Sequence, residues 1–421
     1  MRKTLSLASI VLMICVSEGA FSETWYVDGS VSASGDGTSA ETALRTIQEG
    51  IGKATDSDTV IVAQETYLEN IQFGGKNITL TSTDPLDPDV VAETIIDGNL
   101  SGSVVTFSGT EDESCVLSGF TITNGQAAVG GGICGGAAGS STQATIRRNV
   151  IVQNSVTDTG GGLAYCYGRI EYNTIAGNSA NFGGGLYDCG GTVRNNLIAG
   201  NSAGSGGGLY DCGGTIESNT ISGNAARVFG GGLRLCRGTI QNCVIWGNTA
   251  FSDAQLSGSK EPTYSCVHGW AGPGEGNTAE DPLFVDADGP DDDLETYEDN
   301  DYRLAPGSPC IDTGKNEDWM SEALDLDGES RIRYAISSLT VDMGAYEYFP
   351  SRIIDVRKVG ATGVQIVWTS NPGWNYAIWS CVDLVAGEWT EEETIPGEGA
   401  TTSWTDTRAL GRTKFYRLEM R

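Results

Sequence analysis

The sequence predicts an all-β chain built as a right-handed parallel β-helix, a solenoid of short coils, and three observations predict it. Gly-Gly-Gly-Leu recurs with its first glycine at 160, 183, 206 and 230, in steps of 23, 23 and 24 residues. A cysteine follows each at the same offset (Cys166, Cys189, Cys212, Cys236). Two asparagine columns keep the same register, Asn149, Asn173, Asn196 and Asn219, then Asn154, Asn178, Asn201, Asn224 and Asn248. The third observation is composition: 59 glycines and only 39% hydrophobic residues suit many short strands with tight turns, and no helical period appears after the first 55 residues.

A repeat of this size cannot bury its own apolar face, so stacked coils must share one core. Three short strands and three turns are expected per coil, with successive coils about 4.8 Å apart. Asparagines recurring at a turn bond their counterparts in the next coil and tolerate left-handed backbone. Glycine triplets supply turns with positive φ. A further column, Arg147, Glu171, Arg194, Glu217 and Gln241, alternates in charge along the stack. Opposite charges on neighbouring strands are mildly stabilising, so an exposed structural ladder is expected there.

In chain order, residues 1–22 read as a secretory signal. Arg2 and Lys3 precede an apolar run from Leu5 to Val16, and Ala20-Phe21-Ser22 offers a small-x-small cleavage site. Ile14 before Cys15 does not fit a lipid anchor. A secreted or cell-surface location follows, where the cysteines after Cys15 can oxidise. Residues 23–278 form the β-helix, with an N-terminal capping helix over 43–54. Residues 279–349 form an acidic, loop-rich module that closes it. Residues 350–421 alternate apolar and polar in "VQIVWTS", "NYAIWSCVDL" and "KFYRLEM", which predicts a small antiparallel β-sandwich. No segment after the leader is apolar for 18 residues, so no transmembrane helix is expected. A formal charge of −30 argues against nucleic acid and anionic membranes as partners. The chain is expected to be a monomer.

The coil sequence "GNSANFGGGLYDCGGTVRNNLIAGNSA" resembles bacterial secreted right-handed β-helix proteins of the pectin-lyase-like superfamily, and is similar to the repeats of chlamydial polymorphic outer membrane proteins. The opening "WYVDGSVSASGDGTSAETALRTIQEGIGKATDSDTVIVAQETYLENI" resembles the usual start of such chains, where a short helix caps the open end of the stack. Gln64-Glu65 stands where relatives more often carry Pro-Gly. The stretch "DYRLAPGSPCIDTG" resembles their closing module, and the tail is similar to C-terminal β-domains ending in Phe-Tyr-Arg. The resemblance implies the fold. It leaves function open, because this scaffold hosts lyases, hydrolases, adhesins and binding proteins.

One place in the coils draws chemistry together. Tyr187 lies one coil below Tyr210, with Arg234 next in that column, and Asp188 lies one coil below Asp211. With Leu186, Leu209 and Leu233 inward, strand alternation turns Tyr187, Tyr210 and Arg234 outward, where aromatic rings beside an arginine would hold a sugar. The same alternation points Asp188 and Asp211 inward unless a turn begins there, and a buried like-charge pair would raise one pKa. Facing outward, the aspartates would bind calcium with Arg234 or Arg237 as proton acceptor, the arrangement implied by the resemblance to pectate lyases. Alternatively, carboxyls about 5 Å apart would act as acid and nucleophile of a retaining glycosidase.

Asp286, Asp288, Asp325 and Asp327, with Asp291 to Asp293, sit beside turn glycines as calcium ligands do, or are solvated turns. A single histidine, His268, excludes a catalytic triad and multi-histidine metal sites. No lysine lies between Lys76 and Lys260 to act as a base in the coils. The cysteine column fits either buried packing or disulfides between neighbouring coils. Trp368, Trp374, Trp379, Trp389 and Trp404 crowd the tail, as core or as a carbohydrate-binding face. The reading adopted is a secreted or cell-surface protein that binds glycans or other surface molecules, an extracellular polysaccharide or cell-surface glycan foremost, without catalysis. The alternative is a pectate-lyase-like polysaccharide lyase or glycoside hydrolase acting on an acidic polysaccharide. Coils from Gly160 to Asn248 carry almost none of the long loops that wall an enzyme cleft.

Overall fold

A computed structural model describes residues 22–289, 300–332 and 340–348, and in the tail residues 353–360, 363–370, 375–382, 389–396, 401–407 and 414–420. The leader expected over residues 1–22 falls almost wholly outside the described residues, as do Asp291 to Asp293 and Trp374.

One coil shows how the chain turns. Its strands are Arg169–Glu171, Thr174–Ala176, Ser179–Phe182 and Leu186–Tyr187. Each is followed by one residue with positive φ: Tyr172 (58°), Gly177 (61°), Gly183 (66°) and Asp188 (46°). A single left-handed residue bends the chain without a loop. That economy leaves room for four strands per coil, where three were expected. Each strand pairs in parallel with its counterpart in the next coil, as in Ile170↔Val193, Ile175↔Ile198 and Leu186↔Leu209. The resulting parallel sheets hold nine, nine, eight and six strands, the architecture of a right-handed parallel β-helix.

The interior follows from this register. Ile146, Ile170, Val193, Ile216 and Ile240 stack as one buried column, and Ile151, Ile175, Ile198, Ile221 and Ile245 as a second. At two of the corners asparagine follows the left-handed residue and points inward. Asn178 Nδ2 donates to Asn201 Oδ1 at 3.0 Å and to the Ile151 carbonyl at 2.8 Å, while its backbone N–H also reaches Asn201 Oδ1 at 3.0 Å. The same bonds recur coil after coil, so each buried amide satisfies the corner backbone of its neighbours. Cys166, Cys189, Cys212 and Cys236 are free and fully buried. Each thiol donates to the carbonyl two residues before it at 3.5–3.6 Å. Burial pushes the Cys189, Cys212 and Cys236 thiols well up. The column is packing; the disulfide alternative is not what the structure holds.

The capping helix is shorter than expected, Ile47–Lys53, because Thr46 and Glu49 form a reciprocal capping box and Ala40–Thr42 turns separately as a 3-10 helix. Lys76 Nζ donates to the Ile51, Gly52 and Ala54 carbonyls and so closes the other end of the helix. A second short helix, Pro88–Glu93, starts at Asp87 as cap with proline in its first turn.

The Arg/Glu column is not exposed as expected. Arg194 and Glu171 pair at 2.7 Å, but Glu171, Glu217 and Gln241 are 5–8% exposed. Residues 315–332 and 340–347 lie over them: the Trp319 ring faces Arg194 at 4.4 Å, and Gln241 donates to Glu317 at 2.8 Å. Arg331 is fully buried there, bonded to Asn195 at 3.0 Å and paired with Glu347 at 3.0 Å. The acidic module therefore covers the flank of several coils.

In the tail, Ile353–Val359, Gly363–Thr369 and Thr401–Asp406 form one antiparallel sheet, and Thr390–Pro396, Asn375–Cys381 and Phe415–Met420 another. Ile366, Trp368, Tyr376 and Ile378 fill the space between them, a small β-sandwich. Among the described residues no helix is long and apolar enough to cross a membrane.

Candidate functional site

The corner after each two-residue strand settles the direction of the aspartates. Asp188 and Asp211 adopt φ of 46° and 54°, so alternation stops one residue after the tyrosine and resumes with an inward cysteine. Asp188 is half-buried and Asp211 exposed. Tyr187 and Tyr210 lie beside them on the outer surface, stacked with ring centroids 5.6 Å apart and planes inclined by 16°. The edge of Tyr165 meets Tyr187 at 5.7 Å, and that of Phe182 meets Tyr210 at 5.2 Å. Because the two tyrosines face each other along the stack, they offer their outer edges and hydroxyls, not two free ring faces.

Residues that the sequence reading passed over complete the site. Tyr167 donates its hydroxyl to Asp188 Oδ1 at 2.6 Å, and that bond, burial and the charge of Asp188 all push its phenol up. The column through Tyr167 continues as Gly190, Gly213 and Arg237. A methyl group on Gly190 would stand 2.9 Å from the Tyr167 ring, so the ring lies across that glycine, while a methyl on Gly213 would meet nothing within 4 Å. The space over Gly213 is thus open, in the column that runs from Tyr167 to Arg237 and beside Asp211. Burial raises the Asp211 carboxyl, the charge of Asp188 raises it further, and Arg237 opposes both. The alignment that found the cysteines would have found this column one residue later.

Arg234 is not brought to the aspartates. Its guanidinium reaches up one coil, donates to Ser257 Oγ at 2.7 Å and lies 4.9 Å from the Phe229 ring centroid. Ser257 in turn donates to Asp253 at 3.1 Å.

The acidic turns are used internally. Both oxygens of Asp325 accept backbone N–H groups, from Glu329 at 2.8 Å and Glu347 at 2.9 Å. Asp327 takes Arg303 in two bonds of 2.5 and 2.9 Å. Asp286 and Asp288 are half-buried at the end of the strand Phe284–Asp286 and just beyond it. Among the described residues no three histidine, cysteine or acidic side chains converge on a point where a metal would sit. His268 stacks on Trp246 at 4.3 Å and, with Asp253, Gln255 and Trp270, lines a 480 Å³ recess beside the last coil. In the tail, Trp368 is core, whereas Arg417 lies between the rings of Trp379 and Trp389 at 5.0 and 4.8 Å.

No family model matches the chain, and no curated protein matches it. Among solved structures it is similar to a pectate lyase. The identity is 13% and the TM-score 0.39, over 78% of this chain and 97% of the other. A pectin methylesterase in complex with a hexasaccharide is similar at 12% identity and a TM-score of 0.30, over 61% of this chain and 82% of the other. The fold itself rests on the strand registers given above.

Proposed function

We propose that this chain is a secreted or cell-surface β-helix protein that binds a neutral, hydroxyl-rich glycan at the Tyr187–Tyr210 face without transforming it. The observation that carries this reading is the exposed edge of the stacked tyrosines beside two outward carboxylates and the opening over Gly213. Carboxylates accept strong hydrogen bonds from sugar hydroxyls, and phenol edges add apolar contact with a polar rim. A polyuronate would instead bring its own carboxylates against Asp188 and Asp211 on a chain of net charge −30, which costs Coulomb energy. Arg234 is committed to Ser257, and Arg237 acts on the Asp211 carboxyl as a charge that lowers it.

The test is a binding panel of neutral and uronate polysaccharides, with product release followed in the same samples. Binding confined to neutral glycans, with no new reducing ends and no unsaturated product, supports the proposal; turnover of any substrate overturns it. A hydrolytic reading has one observation in its favour, the raised Asp211 carboxyl beside Asp188, the condition of a general acid. On that reading, reducing ends appear with the wild type and vanish with Asp211→Asn.

A further inference from the structure

Eight arginines and lysines lie between Lys76 and Glu261, and three of them lie on two adjacent coils. Arg147 and Arg169 are exposed at opposite ends of neighbouring strands, and Arg148 is half-buried at the corner after Arg147. The strand register Arg147↔Glu171 and Ile146↔Ile170 places Arg169 one coil above and two residues back from Arg147, a Cα separation of about 8 Å from the strand and coil spacings. Arg148 is held flat against Tyr172 at 4.9 Å, and Arg169 leans on Thr145 Oγ1 at 3.4 Å. The charge that would neutralise Arg147 is taken elsewhere: Glu171 pairs with Arg194 at 2.7 and 2.9 Å, inside the covered flank. Among the described residues, none of the three arginines forms an ion pair.

A chain with 55 acidic and 25 basic residues has no shortage of carboxylates to place there. Burial first, and then the charge of Arg147, lower the Arg148 guanidinium, while Tyr172 and Glu171 raise it; an anion placed beside the two arginines would act in the raising direction. From this we infer that Arg147 and Arg169, with Arg148 beside them, form a binding site for tetrahedral oxyanion esters, sulfate or phosphate, carried on a polysaccharide. All three cations are guanidinium groups, which are weakly hydrated and present forked donors to such oxyanions. Their spacing along and across the coils suits successive esters on an extended polymer. Arg147 and Arg169 are exposed, so an ester group on a polymer can reach them directly. The site lies off the tyrosine–aspartate face and does not depend on its being a glycan site.

The chain would be passed over dextran sulfate, dextran phosphate and unmodified dextran at about 50 mM salt, where screening is weak. Retention is expected on one or both charged dextrans, with at least a tenfold weaker dissociation constant for Arg147→Gln/Arg169→Gln. Both side chains are exposed, and an unchanged thermal midpoint shows that the variant is folded. Arg227→Gln, which removes an exposed arginine on another strand of the stack, is expected to bind the charged dextrans as the wild type does. Failure of the wild type to bind either charged dextran, equal binding by the Arg147/Arg169 variant, or an equal loss in the Arg227 variant would each overturn the inference. The comparison between the two charged dextrans says which ester is held.

Discussion

Asp188 and Asp211 show how one backbone angle decides what a residue is for. Both occupy left-handed corners, which aspartate tolerates better than most side chains. Had the strands run one residue longer, the same alternation would have buried two carboxylates together. The sequence left that point open, because period-two alternation carries no mark of where a two-residue strand ends. What was legible was the column to which each belongs. Since the charge of Asp188 helps to raise the Asp211 carboxyl, Asp188→Asn is expected to bring the Asp211 pKa down toward 3.8, as read by NMR titration of its carboxyl carbon. An unshifted titration would leave burial as the only cause. Inside the stack, Asn201→Ala removes donors to the Ile175 carbonyl and to Asn224 and the acceptor of the Asn178 backbone N–H. Leaving such buried groups unsatisfied costs about 1–3 kcal/mol each, so a loss of at least ~2 kcal/mol is expected in urea unfolding.

At the scale of the element, the repeat was legible and its corners were not. The asparagine and cysteine columns were found from spacing alone, and the structure stacks them in that register. The fourth strand escaped because a one-residue corner leaves no loop in the sequence. The flank contacts escaped for another reason: Asn195 meets Arg331, 136 residues later, and no periodicity connects them. Two adjacent glycines test the corner geometry. A methyl on Gly214 would stand 1.8 Å from the Gly191 carbonyl oxygen, whereas one on Gly213 meets nothing. Gly214→Ala is therefore expected to destabilise the chain by several kcal/mol or to abolish folding, and Gly213→Ala to change its thermal midpoint hardly at all. Equal effects would mean that the coils are packed differently. In the covering module, Arg331→Met would leave Glu347 and its neighbours buried without their cation. Breaking such a pair typically costs about 3–5 kcal/mol, and faster amide exchange across residues 315–332 and 340–347 is the expected sign.

For the whole molecule, the acidic composition acts both on stability and on what can bind. Burial raises Asp342 from 3.8 to about 6, against backbone N–H donors from Asp312 and Tyr348 that pull the other way. Between those values the folded chain keeps a proton that the unfolded chain has released. Stability is thus expected to fall as pH rises through that window and to level off above it. Asp325 and Glu347 are also raised by burial and act in the same direction. Urea midpoints for Asp342→Asn should show a flatter profile across the same interval.

The central claim is that the Tyr187–Tyr210 edge holds a neutral glycan. It is tested most directly by the dissociation constant of the Tyr187→Ala/Tyr210→Ala variant for the neutral glycan that binds the wild type best. Loss of two aromatic edges should weaken binding at least tenfold, about 1.4 kcal/mol, with the thermal midpoint of the coils little changed. An unchanged dissociation constant in a folded variant would contradict the account.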